Sequence, residues 1–187
     1  MMKFRDLTAN EIECRIGSIN EKGLSLLLYK DARCDMNILD ETVGVENWQR
    51  EHYECKGNLF CKVGIKVKPT VEMTASNINY DLDTWVYKSD CGTESNTEKE
   101  KGESSDSFKR ACVNWGIGRE LYTAPFIYIP LTDTNGKENY SEKLQKNGKL
   151  ASYDKFIVEK IVIEDKKITA LAIKNATRNK RVFVWQK

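Results

Sequence analysis

Residues 90–122, DCGTESNTEKEKGESSDSFKRACVNWGIGRELY, constrain this chain most, because they demand a helix from material that forms helices poorly. Thr97 followed by Glu100 has capping-box spacing, so the sequence predicts a helix from Thr97 to the break at Trp115 and Gly116. At about 100° per residue, Ser104, Ser105, Phe108, Ala111, Cys112 and Trp115 share roughly one third of the helix circumference, which is enough for a packing face. Lys109 falls at its flank, while Arg110 and Lys99 point nearly opposite. Gly102, Ser104, Ser105 and Ser107 have low helix propensity. Such a helix must draw its stability from close packing against a sheet. Gly116-Ile117-Gly118, directly after an apolar helical face, reads as a helix stop rather than a phosphate cradle.

The segments around it supply that sheet. Residues 48–56, 58–68 and 84–92 read as an antiparallel meander, with Lys56-Gly57-Asn58 as a tight turn and 69–83 as a polar excursion. Gly64 interrupts the apolar alternation and is expected to mark a bulge. Upstream, Thr8 and Glu11 form another capping-box spacing, and Ile12, Ile16 and Ile19 follow at helical intervals, so a first helix is expected over residues 8 to about 19. LSLLLY (24–29) reads as a buried strand, and Met36, Leu39 and Val43 as a short helix ending near Gly44. Downstream, 125–130 contains a short strand. Residues 131–152 read as a polar, mobile loop, with 141–146 as a candidate turn of helix. Residues 156–164 and 168–175 form a hairpin with 181–185 as a third strand. The fold class is therefore α+β, a β-meander followed by a long helix, with an N-terminal helix and a C-terminal β extension. Its expected segments are 1–130, 131–152 and 153–187.

A chain of 187 residues fits one domain with a useful core. No apolar run approaches the roughly 20 residues that span a bilayer, and MMKFRDLTANE has no apolar signal core, so a cytoplasmic protein without membrane attachment is expected. Six cysteines, at 14, 34, 55, 61, 91 and 112, include no Cys-x-x-Cys pair, and the single histidine, His52, has no second ligand pair nearby. Reduced thiols are expected, with no metal. No GxxxxGK[ST] loop is present, so nucleotide-driven chemistry is not expected either. Glu72, Asp81 and Asp83, paired with Asp40 and Glu41, are candidate carboxylates for a divalent ion, but they lack an anchoring motif. Thirty basic against 28 acidic residues leave a net charge of +2, so any polyanion site must come from distribution. Lys62, Lys66 and Lys68 alternate along one strand face, and Lys109-Arg110 closes the long helix.

The order of these elements resembles the Rad52/22 family of single-strand annealing proteins, in the form carried by bacteriophages. MNILDETVGVENWQREHYE (36–54) resembles that family's short helix, glycine and tryptophan, with Gly44 and Trp48 in place. NLFCKVGIKV (58–67) and TWVYKSDCGTES (84–95) resemble its next two strands, and SFKRACVNWG its helix end. The resemblance covers roughly residues 11–129. It implies that Lys109 and Arg110 hold a DNA backbone, and that Arg15 and Lys101 occupy further basic positions. Val113 stands where family members often carry another basic residue, which implies a DNA path that differs in detail.

The expectation is a non-enzymatic protein without cofactors that binds single-stranded DNA and anneals complementary strands in phage recombination and double-strand break repair. Candidate DNA-binding residues are Lys109, Arg110, Arg15, Lys99, Lys101, Lys62, Lys66 and Lys68. Expected partners are single-stranded DNA, further copies of the chain in a ring, and a host single-strand-binding protein. Two other readings stay open: a metal-dependent nuclease, and a protein-interaction adaptor on the same fold. Trp48, Trp85 and Trp115 are expected in the core or at a subunit interface, since each sits in an apolar pattern.

Overall fold

The computed structural model describes residues 2–67, 84–93 and 99–187. In chain order its elements are β1 (Glu13–Asn20), β2 (Gly23–Tyr29), α1 (Ala32–Val43), β3 (Trp48–Cys55), β4 (Asn58–Val67), β5 (Thr84–Cys91), α2 (Lys99–Trp115), β6 (Ile127–Pro130), β7 (Lys143–Leu144), β8 (Leu150–Ala151), β9 (Phe156–Glu164), β10 (Lys167–Asn175) and β11 (Lys180–Gln186), with 3-10 turns at Ala9–Glu11 and Arg119–Thr123. The class is α+β with antiparallel strands, as expected. The chain forms two compact units: Met1–Arg5 with Ala32–Ile117, and Asp6–Asp31 with Gly118–Lys187. Residues 131–152 and 153–187 thus share a unit with 6–31. The expected excursion 69–83, Lys68, the carboxylates Glu72, Asp81 and Asp83, and the helix start at Thr97 all lie outside the described residues.

The first unit is the meander and its helix. β4 pairs with β3 on one side and β5 on the other, both antiparallel, and the register runs unbroken through Gly64. The expected bulge is therefore absent, and the glycine has another cause. A Cβ at Gly64 would come within 2.4 Å of the Tyr87 ring, which lies across the backbone there. Along β4, Cys61, Val63 and Ile65 are fully buried and alternate with Lys62, Gly64 and Lys66 on the opposite face, as strand geometry requires. The buried row meets Phe108, Ala111 and Cys112 of α2, with Ile38 and Leu39 of α1 completing the core. α2 ends on Gly116 at φ +99, where the Gly116 N–H donates to the Val113 carbonyl and the Ile117 N–H to the Cys112 carbonyl, the helix stop read from the sequence.

The second unit corrects the N-terminal reading. Thr8 and Glu11 do form their box, with the Thr8 N–H and hydroxyl donating to the Glu11 carboxylate at 2.8 and 2.9 Å, but it closes one 3-10 turn only. Residues 13–20 are β1, paired with β2. The register shifts between Ile16 and Ser18, so an extra residue at Gly17 brings Ile16 and Ile19 onto one face three positions apart. A β-bulge thus produced the interval that looked helical.

The C-terminal strands complete one six-stranded sheet, in the order β11-β10-β9-β1-β2-β6, and β11 approaches β6 so that the sheet curls round. Leu24, Leu26, Ile127, Ile129, Phe156, Val158, Ile168, Leu171 and Ile173 are buried within this unit. The polar segment before β9 is fixed rather than loose, and 143–144 pairs as strand with 150–151 instead of turning as helix. Tyr140 and Asn139 are buried, the Asn175 amide donates to the Asn139 carbonyl and to Asp154 at 2.8 and 2.7 Å, and Arg178 donates to Glu138, Ser141 and Asp154. Lys180 closes the arrangement on Asp133 at 2.8 Å.

Two outcomes follow from this packing. Gly92 lies so close to α2 that a Cβ would meet the Glu103 carbonyl oxygen at 2.2 Å. Gly92→Ala is expected to lower unfolding stability by about 1–3 kcal/mol, the usual range for overpacking, read as a lower urea midpoint. The hydrogen bond from Lys180 holds the Asp133 carboxyl down to about 2 against an ordinary 3.8. A depressed carboxyl stabilises the fold above its unfolded value, and this contribution drains away as pH falls from about 3.8 through about 2. In Lys180→Met, the NMR titration of Asp133 should move back toward its ordinary value.

Candidate nucleic-acid interface

α2 is poor helix material, and its side chains show how it is held. From the N-terminal end, the Leu59 N–H donates to the Glu103 carboxylate at 2.9 Å, His52 Nε2 lies 3.1 Å from the Ser104 carbonyl oxygen, and the Thr93 N–H and hydroxyl both donate to Asp106 at 3.1 Å. Further along, Arg110 Nε meets Asp90 at 3.4 Å, Asn114 donates to the Ser89 carbonyl at 3.0 Å, and the Trp115 indole donates to the Val63 carbonyl at 3.0 Å. Lys88 returns the favour by donating to the Asn114 carbonyl at 2.8 Å, near the end of the helix where carbonyls lack partners. Glu103 and Asp106 thus tie the first half of α2 to β4 and to the residue pair that follows β5.

Lys109 follows the buried Phe108 and is half-buried at the flank of α2, as expected. Arg110 departs from expectation. It turns toward β5 and Asp90 instead of away from the sheet, because full burial centres on Ser107, Phe108, Ala111 and Cys112 and so brings Arg110 to the rim. Its side chain keeps 42 % exposure, and an ion pair as long and as exposed as the one with Asp90 contributes little stability. Lys101 shares the angular position of Phe108 yet is exposed, since it sits in the first turn of α2, well before full burial begins at Ser107. Lys99 opens the helix.

Lys62 and Lys66 lie on the opposite face of the sheet from α2, so the meander separates them from Lys109 and Arg110. Glu51 of β3 pairs with Lys62 at 3.0 Å, and that hydrogen bond holds the Lys62 ammonium above its ordinary pKa. Its Nζ stands 5.4 Å from the Tyr87 ring centre. Arg15 belongs to the second unit, on the exposed side of β1, where Glu13 pairs with it at 2.6 Å and its guanidinium lies 4.9 Å from the Tyr29 ring centre.

Two cations escaped the sequence reading. Arg50 and Lys88 share a row with Val63, on the α2 side of the sheet, and lie 4.7 Å over Phe108 and 4.6 Å over Trp115. Only the strand register puts them beside α2. The tryptophans divide: Trp48 stacks on Phe108 and donates to Asp40 at 2.6 Å, Trp115 packs on β4, and Trp85 stands on the far face.

All six cysteines are free thiols, and burial raises Cys14 to about 12 and Cys61 to about 11, far from the thiolate form. Asp40 is engaged with the Trp48 indole and Glu41 with Arg5 at 2.6 Å. Among the described residues, no three His, Cys, Asp or Glu side chains gather as a metal site, and no helix is long and apolar enough to cross a membrane.

The model of the Rad52/22 family of double-strand break repair proteins matches residues 4–140, nearly three quarters of the chain. No curated protein and no solved structure matches it.

Proposed function

Because this chain belongs to the Rad52/22 double-strand break repair family, we propose that it binds single-stranded DNA without ATP and anneals complementary strands during recombination and repair. The observation that carries this reading is the Lys109-Arg110 step of α2, at the rim of a β-β-β-α unit that lies within the family match. Arg110 presents a partly exposed guanidinium and Lys109 a flexible ammonium beside it, the two cation types that meet phosphates. Phosphate contacts carry no sequence information, so Watson–Crick pairing supplies the specificity. No covalent bond is made or broken. The role is therefore that of a binding protein, in a bacteriophage recombination setting within the host cytoplasm.

One short helix rim holds few nucleotides, so stable sampling of homology calls for several protomers on one strand. A homo-oligomeric ring meets that need, and open strand edges are natural joints for it. A host single-strand-binding protein is the natural supplier of the coated strand.

Lys109→Ala combined with Arg110→Ala is expected to remove most single-strand affinity while circular dichroism stays unchanged. Each lost phosphate contact should also make the slope of log K against log salt shallower by about 0.7. The readout is fluorescence anisotropy with a labelled oligonucleotide, paired with duplex formation followed by a quenched dye, both in chelator and without nucleotide. Unchanged affinity removes the pair from the site. Strand cleavage, or an absolute need for a divalent ion, favours the nuclease reading instead, and a folded protein with no DNA binding at moderate salt favours the adaptor.

A further inference from the structure

The face of the β3-β4-β5 sheet turned away from α2 carries a pattern that the family match does not explain. Its rows, read across the three strands, are Tyr53, Phe60 and Cys91; Glu51, Lys62 and Ser89; Gln49, Gly64 and Tyr87; then Lys66 and Trp85. Tyr53 stacks with Phe60 at 5.5 Å between ring centres, and Trp85 with Tyr87 at 6.4 Å. Gly64 makes the central ring lie flat: the space a Cβ would take is filled by Tyr87, whose hydroxyl accepts from the Gln49 amide at 2.7 Å. One side of that ring covers backbone, and the residue still keeps 46 % exposure. Lys62 and Lys66 bracket Gly64 along β4, roughly 13 Å apart at about 3.3 Å per residue, and the Lys62 ammonium stands over the ring at 5.4 Å from its centre.

We propose that this face is a second surface for single-stranded DNA, on which bases stack over Tyr87 and Trp85 while Lys62 and Lys66 meet the neighbouring phosphates. It rests on the single-strand binding proposed above, and adds a contact on the other side of the sheet from Lys109 and Arg110. The charge pattern favours a polyanion over a protein. Centres of protein interfaces gather aromatic residues but shed lysine, whereas here two lysines alternate with the rings against one carboxylate, Glu51. Single-strand sites combine those two elements, flat rings for bases and cations for the backbone. Glu51 pairs with Lys62 at 3.0 Å on this face, and a phosphate that engages Lys62 takes the place of that exposed carboxylate.

Two measurements on the full chain test it. First, an iododeoxyuridine-containing oligonucleotide is crosslinked to the unaltered protein by light, and the attached residues are mapped by mass spectrometry. Crosslinks at Trp85, Tyr87, Tyr53 or Phe60 support the surface. Crosslinks confined to 99–117 overturn it while leaving the proposed function standing, and a protein that neither binds nor crosslinks takes both down. Second, Trp85→Leu with Tyr87→Leu is titrated against a thymidine oligonucleotide and an abasic strand of equal length. Affinity for the base-bearing strand should fall about tenfold or more, with abasic binding unchanged. The Lys109→Ala, Arg110→Ala variant should weaken both strands alike. An equal loss for both strands, no loss for either, or loss of self-association without a base-dependent effect overturns the stacking surface. The crosslink map decides the matter alone if the double leucine variant fails to fold.

Discussion

The seating of α2 on the meander is the interaction on which the first unit depends. Its apolar face is short, essentially Phe108, Ala111 and Cys112, and its first turns hold glycine and serines. Burial of so few side chains cannot by itself hold 17 residues of weak helix former. Polar straps make up the difference, with Glu103, Ser104, Asp106, Asn114 and Trp115 each bonded to the sheet or its extension. Gly92 sets the distance, since any side chain there would push against the helix backbone. The Lys109-Arg110 rim is placed by these same bonds, so the geometry of the candidate site and the stability of the helix are one property.

A strand alternates its side chains, and β4 shows what that does for function. One face spends Cys61, Val63 and Ile65 on the core, which leaves Lys62, Gly64 and Lys66 for the other. The meander therefore has two chemically different sides: a helix with a basic rim on one, and rings interleaved with lysines on the other. Gly64 links them, because the missing Cβ that lets Tyr87 lie flat sits between two of the most tightly buried residues of the unit.

The second unit is built by a different rule, closure of a curled sheet in which strands distant in sequence become neighbours. β1 meets β9 through the single pair Glu13 and Ile157, and β11 approaches β6. Long-range side-chain bonds then fix the polar stretch between β6 and β9. Asn175, Arg178 and Lys180 come from the last two strands and their turn, yet they tie down Asn139, Glu138 and Asp133.

The sequence by itself determined the meander, the helix after it, its stop at Gly116 and the C-terminal hairpin, because period-2 alternation, turn residues and helix caps are local signals. It also determined the family, through the order of those elements. What only the tertiary structure decided is everything that depends on pairing register and on partners far along the chain. Ile16 and Ile19 read as helical because a bulge at Gly17 counterfeits a helical interval, and pairing with β2 overrides it. Gly64 read as a bulge because a glycine's cause lies in its neighbour, here a tyrosine more than 20 positions away. Arg110 turned to the sheet rim, Lys101 came out exposed, and Lys62 and Lys66 were carried to the side opposite Lys109. A side chain's face on a strand or helix follows from local geometry, but what stands opposite that face is fixed only when the elements pack.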